Sequence, residues 1–252
     1  MLGNRSVKQI LNAVVSRQHY IALANMARLY PRFCQNFIRY ISGSGTYPYE
    51  AEVRSPVGIV KPRLYSHHDL LTVNEIFCRL DYPAEADLKV VVDIGSNIGI
   101  SALYFLSRNA VSKCYLFEPD ARNVVKLEQN LAAFTGRYVL SQKAVSSSAG
   151  KVEFGIEPTG RYGGIGVKSE TIVTVDCLEI NDVLRGILAT EEYIDILKID
   201  TEGTEISTVE AIQPDVLKRI KRIFIEAAPE SLLHPDLFTQ RQYGSIYQMF
   251  RK

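Results

Sequence analysis

The first acidic side chain of this protein is Glu50. Residues 1–49 contain no Asp or Glu, while Arg5, Lys8, Arg17, Arg28, Arg32 and Arg39 place six positive charges there. The rest of the chain carries a small negative excess, and the total net charge is only +1. So neutral a total argues against a nucleic-acid partner held by bulk positive charge. Also lacking is any apolar run near the roughly 20 residues that a membrane-spanning helix needs. No signal-peptide pattern forms, because Arg17, Gln18 and His19 interrupt the N-terminal stretch before an apolar core develops. The four cysteines (Cys34, Cys78, Cys114, Cys177) lie far apart without a CxxC pair. That excludes a zinc framework and reads as free thiols of a reducing compartment. These absences predict a cytoplasmic globular protein with no membrane span.

At 252 residues the chain is long enough for one α/β domain and an appendage. Apolar Ile10, Leu11, Val14 and Val15, then Ile21, Leu23 and Ala24, recur at helical spacing, and Pro31 opens a second helical segment. Residues 1–48 therefore read as a basic helical arm, closed by the loop-like SGSGTYP from Ser42 to Pro48, and residues 49–252 as one main domain. The arm's Tyr20, Tyr30, Phe33, Phe37 and Tyr40 imply burial, as a cap on that domain or as a homo-oligomer interface. Short strands are expected at 52–54 and 58–61, and a helix at 69–79.

From Lys89 strands and helices alternate. Val90–Ile94, Cys114–Phe117, Tyr138–Leu140, Ile194–Ile199 and Ile223–Ile225 are short apolar runs suited to strands buried on both faces. Helical patterns at 98–107, 123–134 and 204–212 separate several of them. Such alternation predicts a doubly wound, mostly parallel sheet. Extra β structure is expected at 152–154 and 171–175, around the glycine-rich GRYGGIG (Gly160 to Gly166), a candidate lid. In folds of this class ligands sit beyond the carboxyl ends of the strands. Asp93, Glu118, Asp200 and Glu226 all fall there.

DIGSNIG follows a strong strand and opens a helix, so Gly95 and Gly99 permit a tight turn and close approach of a ligand. Asn97 stands where the dinucleotide fingerprint GxGxxG has its middle glycine, which disfavours a nicotinamide-dependent oxidoreductase. Asp93 would repel a pyrophosphate but suits the ammonium of a methionine moiety. Glu118, in YLFEPD, lies 19 positions beyond Gly99, about where an acid accepting ribose hydroxyls belongs. Ala144 and Val145 are candidates to flank an adenine ring.

DIGSNIG, FEPD, TVDCL (Thr174 to Leu178) and above all ILKIDTEGTE (Ile196 to Glu205) resemble the FkbM-type family of methyltransferases that use S-adenosylmethionine (SAM). DLLTVNEIFCRLDY (Asp69 to Tyr82) is similar to the segment that family places before its first strand. The resemblance implies a class I, Rossmann-like methyltransferase fold and O-methylation of a sugar, glycan or polyketide-like product. It places Asp93, Gly95, Ser96, Asn97 and Gly99 in the cofactor loop, Glu118 and Pro119 at the ribose and Ala144 at the adenine. Tyr82 and Glu75 come near the methionine end, and Asp200, Glu202 and Glu226 line the active site. Asp200 is the first choice of general base and Glu202 the second. Clustered carboxylates repel one another and invite a cation, so Mg²⁺ is considered, although no signature specifies a metal. A non-catalytic scaffold docking a partner through the basic arm is a further alternative. The 26 residues after Glu226 show one strand-like run, Ser245 to Phe250, so the far end of the sheet is expected to be abbreviated or truncated.

Overall fold

The computed structural model describes residues 17–156, 163–167 and 169–252. They form two compact units that divide between Pro83 and Ala84.

In the first unit, helix α1 (Arg17–Leu29) precedes α2 (Phe33–Ser42), which begins just beyond Pro31 and closes at Gly43 with φ 67°. Of the aromatics expected to be buried here, Tyr30 is 1% exposed but Tyr20 is 59% exposed. The Tyr30 hydroxyl donates to Asn74 Oδ1 at 3.1 Å. Residues 1–16, with Ile10, Leu11, Val14 and Val15, lie outside the described residues. Strand β1 (Tyr49–Glu50) pairs antiparallel with β4 (Arg63–Leu64), and β2 (Val53–Ser55) with β3 (Gly58–Val60). Helix α3 (His67–Val73) starts at a capping box, in which the Ser66 hydroxyl accepts from the Asp69 amide and Asp69 accepts from the Ser66 amide. The helix expected at 69–79 is present, but its second half, Asn74–Arg79, is π-helical.

The second unit is built on a seven-stranded sheet of order β14-β15-β13-β12-β5-β6-β7. Strands β5 (Val90–Ile94), β6 (Lys113–Phe117), β7 (Tyr138–Ser141), β12 (Ile194–Ile199) and β13 (Ile220–Ile225) run parallel. The expected doubly wound, mostly parallel sheet is thus present. Every residue of β5 is buried, because α4 (Ile100–Leu106), α5 (Ala121–Asn130), α6 (Ile180–Leu188), α7 (Glu205–Glu210) and α8 (Pro214–Leu217) connect and cover the strands. Ile94, Leu197, Ile199, Ile223 and Ile225 belong to one apolar core.

The sheet does not end early, as the sequence led us to expect. β15 (Ile246–Arg251) lies antiparallel to β13, and β14 (Phe238–Tyr243) completes a hairpin beside it. β14 escapes a hydropathy reading because it is an edge strand whose only buried residue is Phe238. Its Gln240 accepts from the Tyr247 hydroxyl and the Leu233 amide.

A second sheet, of order β10-β9-β11-β8, supplies the extra β structure, from β8 (Ala144–Ser146), β9 (Gly150–Ile156), β10 (Gly164–Ile165) and β11 (Thr171–Glu179). Arg161 and Tyr162 of the candidate lid lie outside the described residues.

Candidate active site

The winding of the sheet reverses between β5 and β12, which are neighbours although two other strands of that sheet, β6 and β7, and the second sheet separate them in sequence. A crevice for ligand belongs at that reversal. The two loops that leave it are Gly95–Gly99 and Asp200–Thr204.

In the first loop Gly95 has φ 79°, and a Cβ there would stand 1.8 Å from the backbone oxygen of Asp200. Only glycine lets the two loops touch. The Gly95 and Ser96 amides both donate to Phe117 O, at 2.9 and 3.1 Å. Ser96 Oγ donates to the Asp93 carbonyl at 2.8 Å, and Asn97 takes φ 48° with its side-chain oxygen receiving the Ile98 amide. Gly99 then opens α4 at φ 83°. The turn is fixed at every residue before any ligand arrives.

Asp93 does not project from this loop. Its carboxylate is fully buried, receives the Ser101 hydroxyl at 2.5 Å, and receives the ammonium of Lys198 at 3.0 Å. Lys198 also donates to the Gly95 carbonyl at 3.1 Å and pairs with Asp200 Oδ2 at 3.3 Å. Burial raises the Asp93 carboxyl above its ordinary range, against the pull of Lys198 and Ser101. Burial would lower the Lys198 ammonium, but the two carboxylates beside it hold it above its usual value, so it stays charged. The cation invited by the clustered acids is therefore a lysine of the chain itself. Lys198 received no role from the sequence, although a lysine within the apolar strand IDILKI was a visible signal of a buried charge partner.

The second loop is more open. The Asp200 side chain is 27% exposed, and Glu202 is exposed on a backbone with φ 56°. Glu205 is buried and accepts the Thr201 amide at 2.9 Å and the Gly203 amide at 2.9 Å, so this second acid of TEGTE folds the loop. Gly164 of β10 abuts Glu202, since a Cβ on it would lie 2.8 Å from the Glu202 carbonyl oxygen.

Glu118, just past β6, is 5% exposed. One carboxylate oxygen accepts the Asn97 amide at 2.8 Å and the other the Asp120 amide at 3.0 Å. Burial pushes its pKa up to about 7, against the lowering by those two amides and Asn123. A carboxylate oxygen has two lone-pair directions, so Oε2 keeps capacity for one more donor, while Oε1 also receives Asn123 Nδ2 at a long 3.4 Å that a better donor can displace. Two such acceptors side by side suit a vicinal diol. Pro119 is half-buried, Ala144 is buried in β8 opposite Cys177, and Glu226 is exposed just past β13. In the first unit, Glu75 pairs with Arg79 at 3.4 Å and Tyr82 is 4% exposed.

The profile described as the methyltransferase FkbM domain matches residues 93–247. The chain belongs to the FkbM methyltransferase family. It is 27% identical over 185 residues to methyltransferase sdnD of Sordaria araneosa, covering 58% of this chain and 69% of that one. Among solved structures, an rRNA methylase from Streptococcus thermophilus aligns with TM-score 0.38 and 16% identity, over 66% of this chain and 87% of that one. A precorrin-6y C5,15-methyltransferase from Geobacter metallireducens GS-15 aligns with TM-score 0.37 and 11% identity, over 76% and 91%. The fold of this FkbM methyltransferase, a parallel sheet that reverses between β5 and β12 and ends in the antiparallel β14–β15 hairpin, is the class I SAM-dependent fold. Among its described residues no helix is long and apolar enough to cross a membrane. Among the same residues no group of three or more His, Cys, Asp or Glu is placed to hold a metal.

Proposed function

We propose that this methyltransferase moves the methyl group of SAM to a hydroxyl of a sugar, a glycan, or a glycosylated or polyketide-like product. The observation that supports it is the contact of two loops at the winding reversal, the glycine loop of β5 against the partly exposed carboxylate of Asp200. The acceptor class rests on the resemblance of KIDTEGTE to the FkbM family. Glu118 would accept the ribose hydroxyls, with Gly95, Ser96, Asn97 and Gly99 lining the rest of the cofactor. Pro119 and Ala144 would flank the adenine.

Bound SAM supplies an electrophilic methyl on a sulfonium that departs as a neutral thioether. The protein's part is alignment and proton removal. Alignment of reacting groups is worth several kcal/mol. Asp200 accepts the acceptor's hydroxyl proton as that oxygen attacks, with Glu202 second in line and Glu226 at the edge of the cleft. Mg²⁺, if used, would hold paired acceptor oxygens and favour their deprotonation.

Calorimetry with SAM tests the cofactor half, and absence of binding by the wild type would overturn it. Release of the demethylated cofactor in the presence of sugar and polyketide panels, with Mg²⁺ or a chelator, tests the other half. We expect an O-methyl product; methylation of nitrogen or carbon would refute the acceptor class.

A further inference from the structure

Lys198 has three N–H donors, and acceptors on three residues lie within their reach. They are Asp93 Oδ1 at 3.0 Å, the Gly95 carbonyl at 3.1 Å and Asp200 Oδ2 at 3.3 Å. Its side chain is 3% exposed and that of Asp93 is 0% exposed, whereas Asp200 is 27% exposed. The cluster is thus a buried ion pair with one carboxylate at its open end. Neutralising the interior would need only Asp93 and Lys198. The bonds to Gly95 and Asp200 are additional, and each reaches a different loop.

We propose that Lys198 is a positioning residue: anchored from behind by Asp93, it ties the cofactor loop to Asp200 so that the two loops move as one body. Besides this tie, the Cα face of Gly95 meets the Asp200 carbonyl and the Asp200 amide bonds to Ile94 O at 3.0 Å. Those hold the backbone of Asp200. Nothing else in the cluster aims its carboxylate, and Oδ2 on the ammonium leaves Oδ1 to take the acceptor's proton. A lysine suits this place because a compact ammonium serves three acceptors in different directions, which a planar guanidinium does not. On this view Asp93 acts on the cofactor only through Lys198. The inference rests on the assignment of Asp200 as the base and of Gly95–Gly99 as the SAM loop.

Lys198→Met alone strands a buried carboxylate and is expected to unfold easily. The informative variant is therefore Asp93→Asn with Lys198→Met, which removes both charges together. Hydrogen exchange with and without SAM reads the tie without needing the acceptor. In the wild type SAM should slow exchange at residues 95–99 and also at 200–203; in the double variant only at 95–99. On whichever panel member the wild type methylates, the double variant should keep KM for SAM within about fivefold while kcat falls about 100-fold, the usual effect of a misplaced reacting group.

Protection of both loops by SAM in the double variant, or full turnover, would reduce Lys198 to a filler of the interior and overturn the proposal. Loss of SAM binding together with turnover in the double variant would make it a builder of the cofactor loop alone, which also overturns it. Failure of the wild type to bind SAM, or full turnover by Asp200→Asn, would instead sink the reading beneath it. If the double variant does not fold, the wild-type exchange decides: protection confined to residues 95–99 refutes the tie.

Discussion

The two loops that meet at the centre of the sheet are built on opposite principles. Gly95–Gly99 is closed on itself, with amides bonded to Phe117 O and Glu118, and its neighbouring acid Asp93 fully buried. Asp200–Thr204 is folded by Glu205 and joined to the sheet at the Asp200 amide, yet it leaves Asp200 partly exposed and Glu202 exposed. On the proposed function, the difference is a division of labour. A loop that must accept the same cofactor at every turnover is best preorganised, because ordering it at binding would subtract from affinity. A loop that handles protons needs a carboxylate that substrate can reach.

The contrast can be broken from either side. Asp200→Asn should have the largest effect, a fall in turnover of about 10³-fold, near 4 kcal/mol, with SAM affinity within about threefold. Steady-state kinetics beside calorimetry would show it. Gly95→Ala should cost about 3 kcal/mol through left-handed strain and overpacking against Asp200, lowering the melting midpoint by about 6–12 °C. It should also abolish SAM binding.

Glu205→Ala leaves the Thr201 and Gly203 amides without their acceptor. We expect a loss of about 2 kcal/mol in thermal stability and a smaller loss of turnover than Asp200→Asn.

Glu118 sharpens the comparison through pH. Its carboxyl titrates near 7 without ligand, and hydroxyl donors favour the ionised form. SAM affinity should therefore be full above about pH 7, fall as pH drops through it, and change about tenfold between pH 6 and 8. Glu118→Gln should bind more weakly with a flat profile; a flat wild-type profile would exclude contact between this acid and the ribose. The smallest effect belongs to Glu202→Gly. Relief of its positive φ should raise the midpoint by about 1–3 °C, with turnover far less affected than in Asp200→Asn.

Much of this was legible beforehand for a physical reason. Strands such as Val90–Ile94 and Ile194–Ile199 are buried on both faces, so composition alone betrays them, and both were bounded correctly. The C-terminal hairpin was not, because β14 turns mostly polar residues to solvent and only its pairing with β15 defines it. In the site, Gly95 and Glu118 announced themselves through local spacing. Lys198 and Glu205 sat in plain view within KIDTEGTE and went unassigned. Their partners are Asp93, 105 positions away, and amides of a turn whose shape no periodicity specifies.

By itself the sequence determined the family, the order of the parallel strands, and which acids stand at their ends, since these follow from short-range pattern and from the side-chain period of each element. Only the tertiary structure decided what surrounds those acids. Asp93, read as a ligand contact, became the counter-ion of a buried lysine, while Asp200 kept an open side. The reason is burial: whether a carboxylate meets water, a ligand or an ammonium depends on what the chain brings across from distant strands.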